Sequence, residues 1–275
     1  MRSMFQVVLN DVRLYRRLVG MQIRAQLQYK VNVLLDVVTY LGVTILEFSA
    51  LLLYFAAFPS LLGWKLGEVA LLTAIVSISF GLAELVGAGI DSFPEMIRRG
   101  EFDRVLLRPV GALTQVVGSD FRLRRLGRLT QGCICFGLAL HWLPNLHWTL
   151  AKLIVLPLGI ISGTIVFVSI LLLGATLCFW TVETTELTNS LYYGGREMLS
   201  YPLVIYNRAF QGIFLFVIPL AFGSYVPACY ILGRPLPFGL PAEIAFMAPL
   251  AALAIAAIAC VCWYWGVHSY QSTGS

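Results

Sequence analysis

A chain of 275 residues is long enough for one or two soluble domains, but 59% of these residues are hydrophobic and only 12% are charged. A soluble domain carries about 25% charged residues because its surface faces water. Half that share, with a mean hydropathy of +0.83, excludes a secreted enzyme, a cytosolic enzyme and a nucleic-acid module, and makes the net charge of +5 a question of placement around a lipid bilayer.

The first predicted element covers residues 1–32, a basic amphipathic helix. Val8, Val12, Tyr15, Val19 and Ile23 share one face, and Arg13, Arg17 and Arg24 lie roughly opposite. Such a helix lies on the cytoplasmic leaflet with its arginines toward headgroups or a partner, or serves as a plain topology anchor. It lacks the short apolar core and small-residue cleavage site of a secretory signal peptide.

Six segments then qualify as crossings, each near the roughly 20 predominantly apolar residues a spanning helix needs. They are about 33–58, 69–90, 127–146, 153–180, 209–231 and 244–267. The apolar runs are continuous, as in Leu171-Leu172-Leu173, which excludes the alternating pattern of a β-barrel. The expected fold is an all-α polytopic membrane protein: six transmembrane helices in residues 33–275, preceded by the interfacial helix and carrying one further short cytoplasmic helix at about 93–109.

Basic residues set the direction. With the N-terminus in the cytoplasm, residues 1–32, the second-to-third connection and the fourth-to-fifth connection (with Arg196 and Arg208) hold sixteen Lys and Arg, and Lys65, Lys152 and Arg234 fall on the other side. Both termini are then cytoplasmic. All six tryptophans stand near predicted span ends, Trp64, Trp142 and Trp148 outside and Trp180, Trp263 and Trp265 inside, where amphipathic rings settle.

Little suggests catalysis. No Gly-x-x-x-x-Gly-Lys-[Ser/Thr] phosphate loop and no His-Glu-x-x-His string occurs. The cysteines, among them the pairs Cys133/Cys135 and Cys260/Cys262, have the wrong spacing for a metal site and read as small apolar residues. Gly159-Ile-Ile-Ser-Gly163 lacks the spacing of an intramembrane serine protease and reads as a small-x-x-x-small helix-packing pattern. No metal and no cofactor is expected in this chain.

Charges inside the spans are the path candidates. Glu47 falls near the middle of the first span, eleven residues from Asp36 and on the same face, and Glu84 lies nearer the cytoplasmic end of the second. A carboxylate at such depth costs about 2.5–3.5 kcal/mol on insertion scales. It lines a transport path, or it is a neutral carboxyl bonded to Ser, Thr or Tyr of a neighbouring helix. Pro219 and Pro227 interrupt the fifth span, as a functional break or a plain kink. Glu183 and Glu186 are placed to pair with Arg196 or Arg208.

The longest cytoplasmic connection reads Phe93-Pro94-Glu95-Met96-Ile97-Arg98-Arg99-Gly100-Glu101-Phe102-Asp103-Arg104-Val105-Leu106-Leu107-Arg108-Pro109. A short helix stopped by Pro109 presents Leu106 and Leu107 beside Arg98, Glu101, Asp103 and Arg104, an apolar knob among mixed charges that suits a protein groove better than lipid. The string resembles the coupling segment of ABC-2-type transporter permeases, particularly a bacterial subgroup with Arg-Gly-Glu-[Leu/Phe]-Asp-x-x-Leu-Leu-Arg-Pro. Phe179-Trp180, Tyr201-Pro202-Leu203 and the run Pro219-Leu-Ala-Phe222, Tyr225-Val-Pro227-Ala228 resemble further blocks of that subgroup. His268-Ser269 stands where the subgroup often has paired arginines before the tyrosine of the tail.

The resemblance implies an ABC transporter permease, most readily an exporter subunit in a bacterial inner membrane. It implies two separate ATPase subunits that bind ATP and Mg, and a second permease, identical or homologous. Arg98, Glu101, Asp103, Arg104, Leu106 and Leu107 become the ATPase-coupling residues. Glu47, Glu84 and Pro219 are the transport-path candidates, and Arg13, Arg17 and Arg24 the interfacial anchor. The alternative is a proton-coupled secondary transporter using Glu47 or Glu84.

Overall fold

The computed structural model describes residues 4–181 and 185–271. Glu183 and the tail residues 272–275 lie outside the described residues, as do the side chains of Val8, Val12 and Tyr40. The described chain is helical, with no strand. Backbone polar groups in lipid must be satisfied within the segment, and helices do this.

α1 (Met4–Leu27) is followed by α2 (Lys30–Ala57) and α3 (Leu66–Asp91). Two short helices, α4 (Phe93–Arg98) and α5 (Phe102–Leu106), and then α6 (Ala112–Val117) lead to α7 (Leu126–Trp142). α8 (Leu150–Leu177) starts at Thr149, whose hydroxyl accepts from the backbone N of Lys152. Next come α9 (Thr185–Leu199), α10 (Arg208–Gly212), α11 (Tyr225–Leu232) and α12 (Ala248–Ser269).

α3 is the hub. It packs against α7 on one side and α8 on the other, and α12 packs on α8. Small residues permit the close crossings: a Cβ on Gly132 of α7 would meet the Ile78 backbone N at 2.8 Å, and one on Gly81 would meet the Leu129 backbone N at 3.0 Å. Among the described residues three helical stretches are long and apolar enough to cross a bilayer, Leu66–Arg98, Leu150–Leu177 and Ala242–Ser269. They match the second, fourth and sixth predicted spans. α2 and α7 flank them; α7 ends at Trp142, so the third predicted span is shorter than 127–146.

The fifth predicted span is corrected. Residues 209–231 do not form one crossing helix. α10 passes into a π-helical turn at Ile213–Val217, Ile218 is extended, and a 3-10 turn at Pro219–Gly223 reverses the chain into α11. The result is a hairpin that dips into the bundle from one end. Gly212 and Phe216 at its start lie by Phe238, and α11 ends at Gly233 in the left-handed conformation, just before Arg234 binds Glu68 at the start of α3. The segment expected as a plain connection instead holds α9, which runs along α3. Its Tyr192 ring stacks by Phe80, and the carbonyl of Ser200, just past its end, accepts from Thr73 Oγ1 at 2.9 Å. Arg196 is therefore inside the bundle and 7% exposed, and Arg208 sits at the end that holds Arg234, opposite to its expected side.

The Gly159–Gly163 pattern receives a partner. Added Cβ atoms there would meet Pro227 Cγ at 2.6 Å and the Gly223 carbonyl at 3.0 Å. The pattern seats the hairpin against α8.

Candidate functional site: the 93–109 segment and the charged seam

The segment 93–109 lies at the arginine-rich end. It is two helices and not the single one expected, because Gly100 takes φ +66° between them and the Glu101 N–H bonds back to the Met96 carbonyl. That turn uses glycine's freedom and ends the first helix before its arginines reach the second. α5 ends at Leu106, short of Pro109.

The two helices are fixed by one phenylalanine each. Phe93 and Phe102 are fully buried and meet edge to face at 5.2 Å. Around them stand Phe179 just past α8, Trp263 of α12 and Tyr270 just past α12. Offset and T-shaped ring pairs of this kind contribute about 0.5–1.5 kcal/mol each beyond burial. Trp263 is thus a core residue, and so is Trp64, 3% exposed; neither faces headgroups as expected. Burial and the neighbouring Asp103 carboxylate raise the Tyr270 hydroxyl above the ordinary tyrosine range, so it stays neutral beside that carboxylate.

The outer side of the segment carries the residues singled out from sequence. Leu107 is 85% exposed and Leu106, Arg98 and Arg104 are exposed, whereas Glu101 and Asp103 are half-buried. Arg98 and Arg99 pair with Glu95 on their own helix. Arg104, Leu106 and Leu107 are all exposed, and Asp103 is turned toward Tyr270 of the tail.

α1 lies against the same end. Gln22 Nε2 donates to the Ser119 carbonyl at 3.0 Å, Gln26 Nε2 donates to the Phe121 carbonyl, and Gln26 Oε1 accepts from the Leu123 N–H at 2.8 Å. Leu18 packs on Gly118. The helix docks on protein through Leu18, Gln22 and Gln26, a face the apolar-wheel reading missed, and Arg13, Arg17 and Arg24 remain exposed.

The second site is a seam of charge between α3, α7, α9 and α2. At the arginine-rich end, Arg125 is 6% exposed; its Nη2 lies 2.6 Å from Asp91 Oδ2 and its Nη1 donates to the Glu84 carbonyl at 2.8 Å. One turn on, Arg128 Nε lies 3.3 Å from Glu84 Oε2. Further along, Arg196 Nη2 lies 3.0 Å from Glu47 Oε2, which also accepts from Gln131 Nε2. Arg128 and Arg196 both stand over the Phe80 ring, at 5.2 and 5.7 Å.

Both path candidates therefore meet arginines. Arg128 stands at Glu84, where the alternative reading put a Ser, Thr or Tyr, and Arg196 is held by Glu47 and Glu197 and not by Glu186; Glu183 lies outside the described residues. The structure does not bring Glu47 and Glu84 into contact with Pro219, which opens the hairpin turn. Arg125, Arg128 and Gln131 are not among the site candidates read from the sequence, and Arg196 appears there only as a partner for Glu183 or Glu186. A signal was present for Gln131, a polar side chain directly before the apolar run 132–140. No group of His, Cys, Asp and Glu that could hold a metal ion occurs among the described residues, and the cysteines are free.

The described residues thus form a helical bundle with a short aromatic-anchored helix pair at one end and paired charges in its interior. A family model described as ABC-2 family transporter protein matches residues 41–274, and the chain belongs to that family. No curated protein and no solved structure matches it.

Proposed function

We propose that the chain is the membrane permease subunit of an ATP-driven exporter, working with two separate ATPase subunits that bind ATP and Mg and with a second permease, in a bacterial inner membrane. One observation carries the coupling: the 93–109 segment is fixed inward by Phe93 and Phe102 and presents Leu107 outward. A knob on a rigid base transmits a push, and it suits a cleft on an ATPase. Arg98, Glu101, Asp103, Arg104, Leu106 and Leu107 are its contact residues.

The six crossings in this reading are α2, α3, α7, α8, α9 and α12, with the 208–232 hairpin re-entering from the outer face. Both termini are then cytoplasmic, and Arg13, Arg17 and Arg24 face headgroups or the ATPase. Glu47, Glu84 and Pro219 border the path. Family membership favours this reading over a proton-coupled carrier, and so do the arginine partners of both carboxylates. The test is affinity purification of the tagged chain from its native membrane. An ATPase at one copy per permease, retained by the wild type and lost with Leu107→Asp, supports the reading. A fully inserted chain with no ATPase partner and substrate uptake driven by a proton gradient alone overturns it.

A further inference from the structure

A cavity of about 180 Å³ opens beside Glu47 and Arg196. Phe48, Leu51 and Cys135 form its apolar wall, and Thr73, Gln131 and Ser200 its polar wall. By helix rise Glu47 is about 25 Å from one end of α2 and about 15 Å from the other, which places the cavity inside the membrane layer in the proposed topology. α2 also carries the exposed apolar side chains Ile45, Leu46 and Leu53.

The charges in this cavity are unevenly covered. The Arg196 side chain is 9% exposed, whereas Glu47 is 42% and Glu197 61% exposed. One covered cation serves two carboxylates that both keep open faces, leaving a net negative charge directed outward. Negative charge at that depth is costly unless it meets a cation or water. Arg196 is itself unsaturated, because its buried Nε has no hydrogen-bond partner.

We infer that this cavity binds an organic cation: an ammonium for Glu47 and Glu197, and an apolar body along Phe48 and Leu51. The inference rests on the permease reading and names its class of cargo. Electrostatics and apolar contact are supplied by different walls, so neither a fatty acid nor a neutral sugar matches both.

The test is binding of radiolabelled propranolol, an aromatic amino alcohol that is cationic at pH 7, to the purified chain in phosphatidylcholine nanodiscs. Empty nanodiscs are the background, and naphthyloxyacetate is the anionic comparator with the same ring. The expected result is saturable binding at least fivefold tighter than the anion. Glu197→Gln weakens it fivefold or more, as does Glu47→Gln. Glu197 is more than half exposed, so its variant keeps the test valid if Glu47→Gln fails to fold. Binding no greater than to empty nanodiscs, as when a second copy of the chain covers the cavity, overturns the inference. So does equal affinity for the anion, or an unchanged Glu197→Gln. No ATPase takes part, so failure here leaves the ATPase partnership standing, and loss of that partnership leaves the binding standing.

Discussion

The Arg234 guanidinium grips the Glu68 carboxylate with two hydrogen bonds, Nε to Oε1 at 3.0 Å and Nη2 to Oε2 at 2.7 Å. The same Nη2 donates to the Gly63 carbonyl at 2.7 Å, and the guanidinium stands 5.6 Å over the Trp64 ring. This ties the exit of the hairpin to the first turn of α3. Donating to the Glu68 carboxylate raises the Arg234 pKa further, so the arginine remains charged at every working pH. Arg234→Ala is expected to destabilise by about 1.5–3 kcal/mol, the range for hydrogen bonds to charged groups, with Arg234→Lys intermediate because the two-pronged geometry is lost. Thermal unfolding in detergent gives the magnitude. Hydrogen exchange gives the place: faster exchange in Tyr225–Leu232 with α8 unchanged.

Gly223 lies against Gly163 with no room for a side chain. A Cβ on Gly223 would stand 2.1 Å from the Gly163 Cα and 2.5 Å from its N. These are backbone atoms, so the clash is relieved only by moving the hairpin away from α8. Gly223→Ala is expected to cost at least the 1–3 kcal/mol of an overpacked site, whereas Gly137→Ala, with open space around it, stays within about 0.5 kcal/mol. A matched pair of melting curves checks this. Equal melting temperatures in the two variants would show that the hairpin does not rest on α8.

Much of this bundle is legible in the sequence because lipid makes hydropathy decisive for α3, α8 and α12, whose apolar runs carry few or no charges. The same signal misleads at 209–231. A charge-free apolar stretch satisfies a crossing and a re-entrant hairpin equally, and the difference lies in the local reversal at Ile218 and Pro219, which a hydropathy window averages away. α9 fails the opposite way. Its residues Glu186, Asn189, Arg196 and Glu197 look like a solvated connection, since Arg196 meets Glu47, and Ser200 just beyond meets Thr73, only across more than a hundred residues. The string 93–109 stands out in the sequence, but its division at Gly100 and its aromatic base do not. Phe93 and Phe102 find Phe179, Trp263 and Tyr270 only after α8 and α12 have packed.

The Glu47–Arg196 pair separates stability from charge. Arg196 is nearly covered, so Arg196→Ala leaves Glu47 without its cation at mid-bundle. About 3 kcal/mol is expected, the lower end for breaking a buried pair, since Glu47 is partly open. Replacing both residues by methionine removes the stranded charge as well, and much of the loss is then recovered. Denaturation of the two single variants and the double variant in the same detergent forms the cycle. Additive losses would mean that the two side chains do not interact.

Within the coupling segment, inward and outward residues are expected to fail in different ways. Phe102→Ala removes a fully buried ring and costs about 3–5 kcal/mol, so the purified chain melts earlier and couples poorly together. Leu107→Asp alters a side chain that is 85% exposed and is expected to shift stability by no more than about 0.5 kcal/mol while abolishing transport-coupled ATP hydrolysis in the assembled complex. Leu106→Asp follows Leu107→Asp in direction. Asp103→Arg acts on both counts, because Asp103 is half-buried beside Tyr270: it loosens the tail and uncouples hydrolysis. Tyr270→Phe keeps the ring contacts with Phe102 and Phe179 and is expected to leave coupling intact. ATPase assays of reconstituted complexes, run beside melting curves of the permease alone, read the two effects separately. Full coupling in both Leu107→Asp and Leu106→Asp would place the ATPase contact elsewhere on the arginine-rich end.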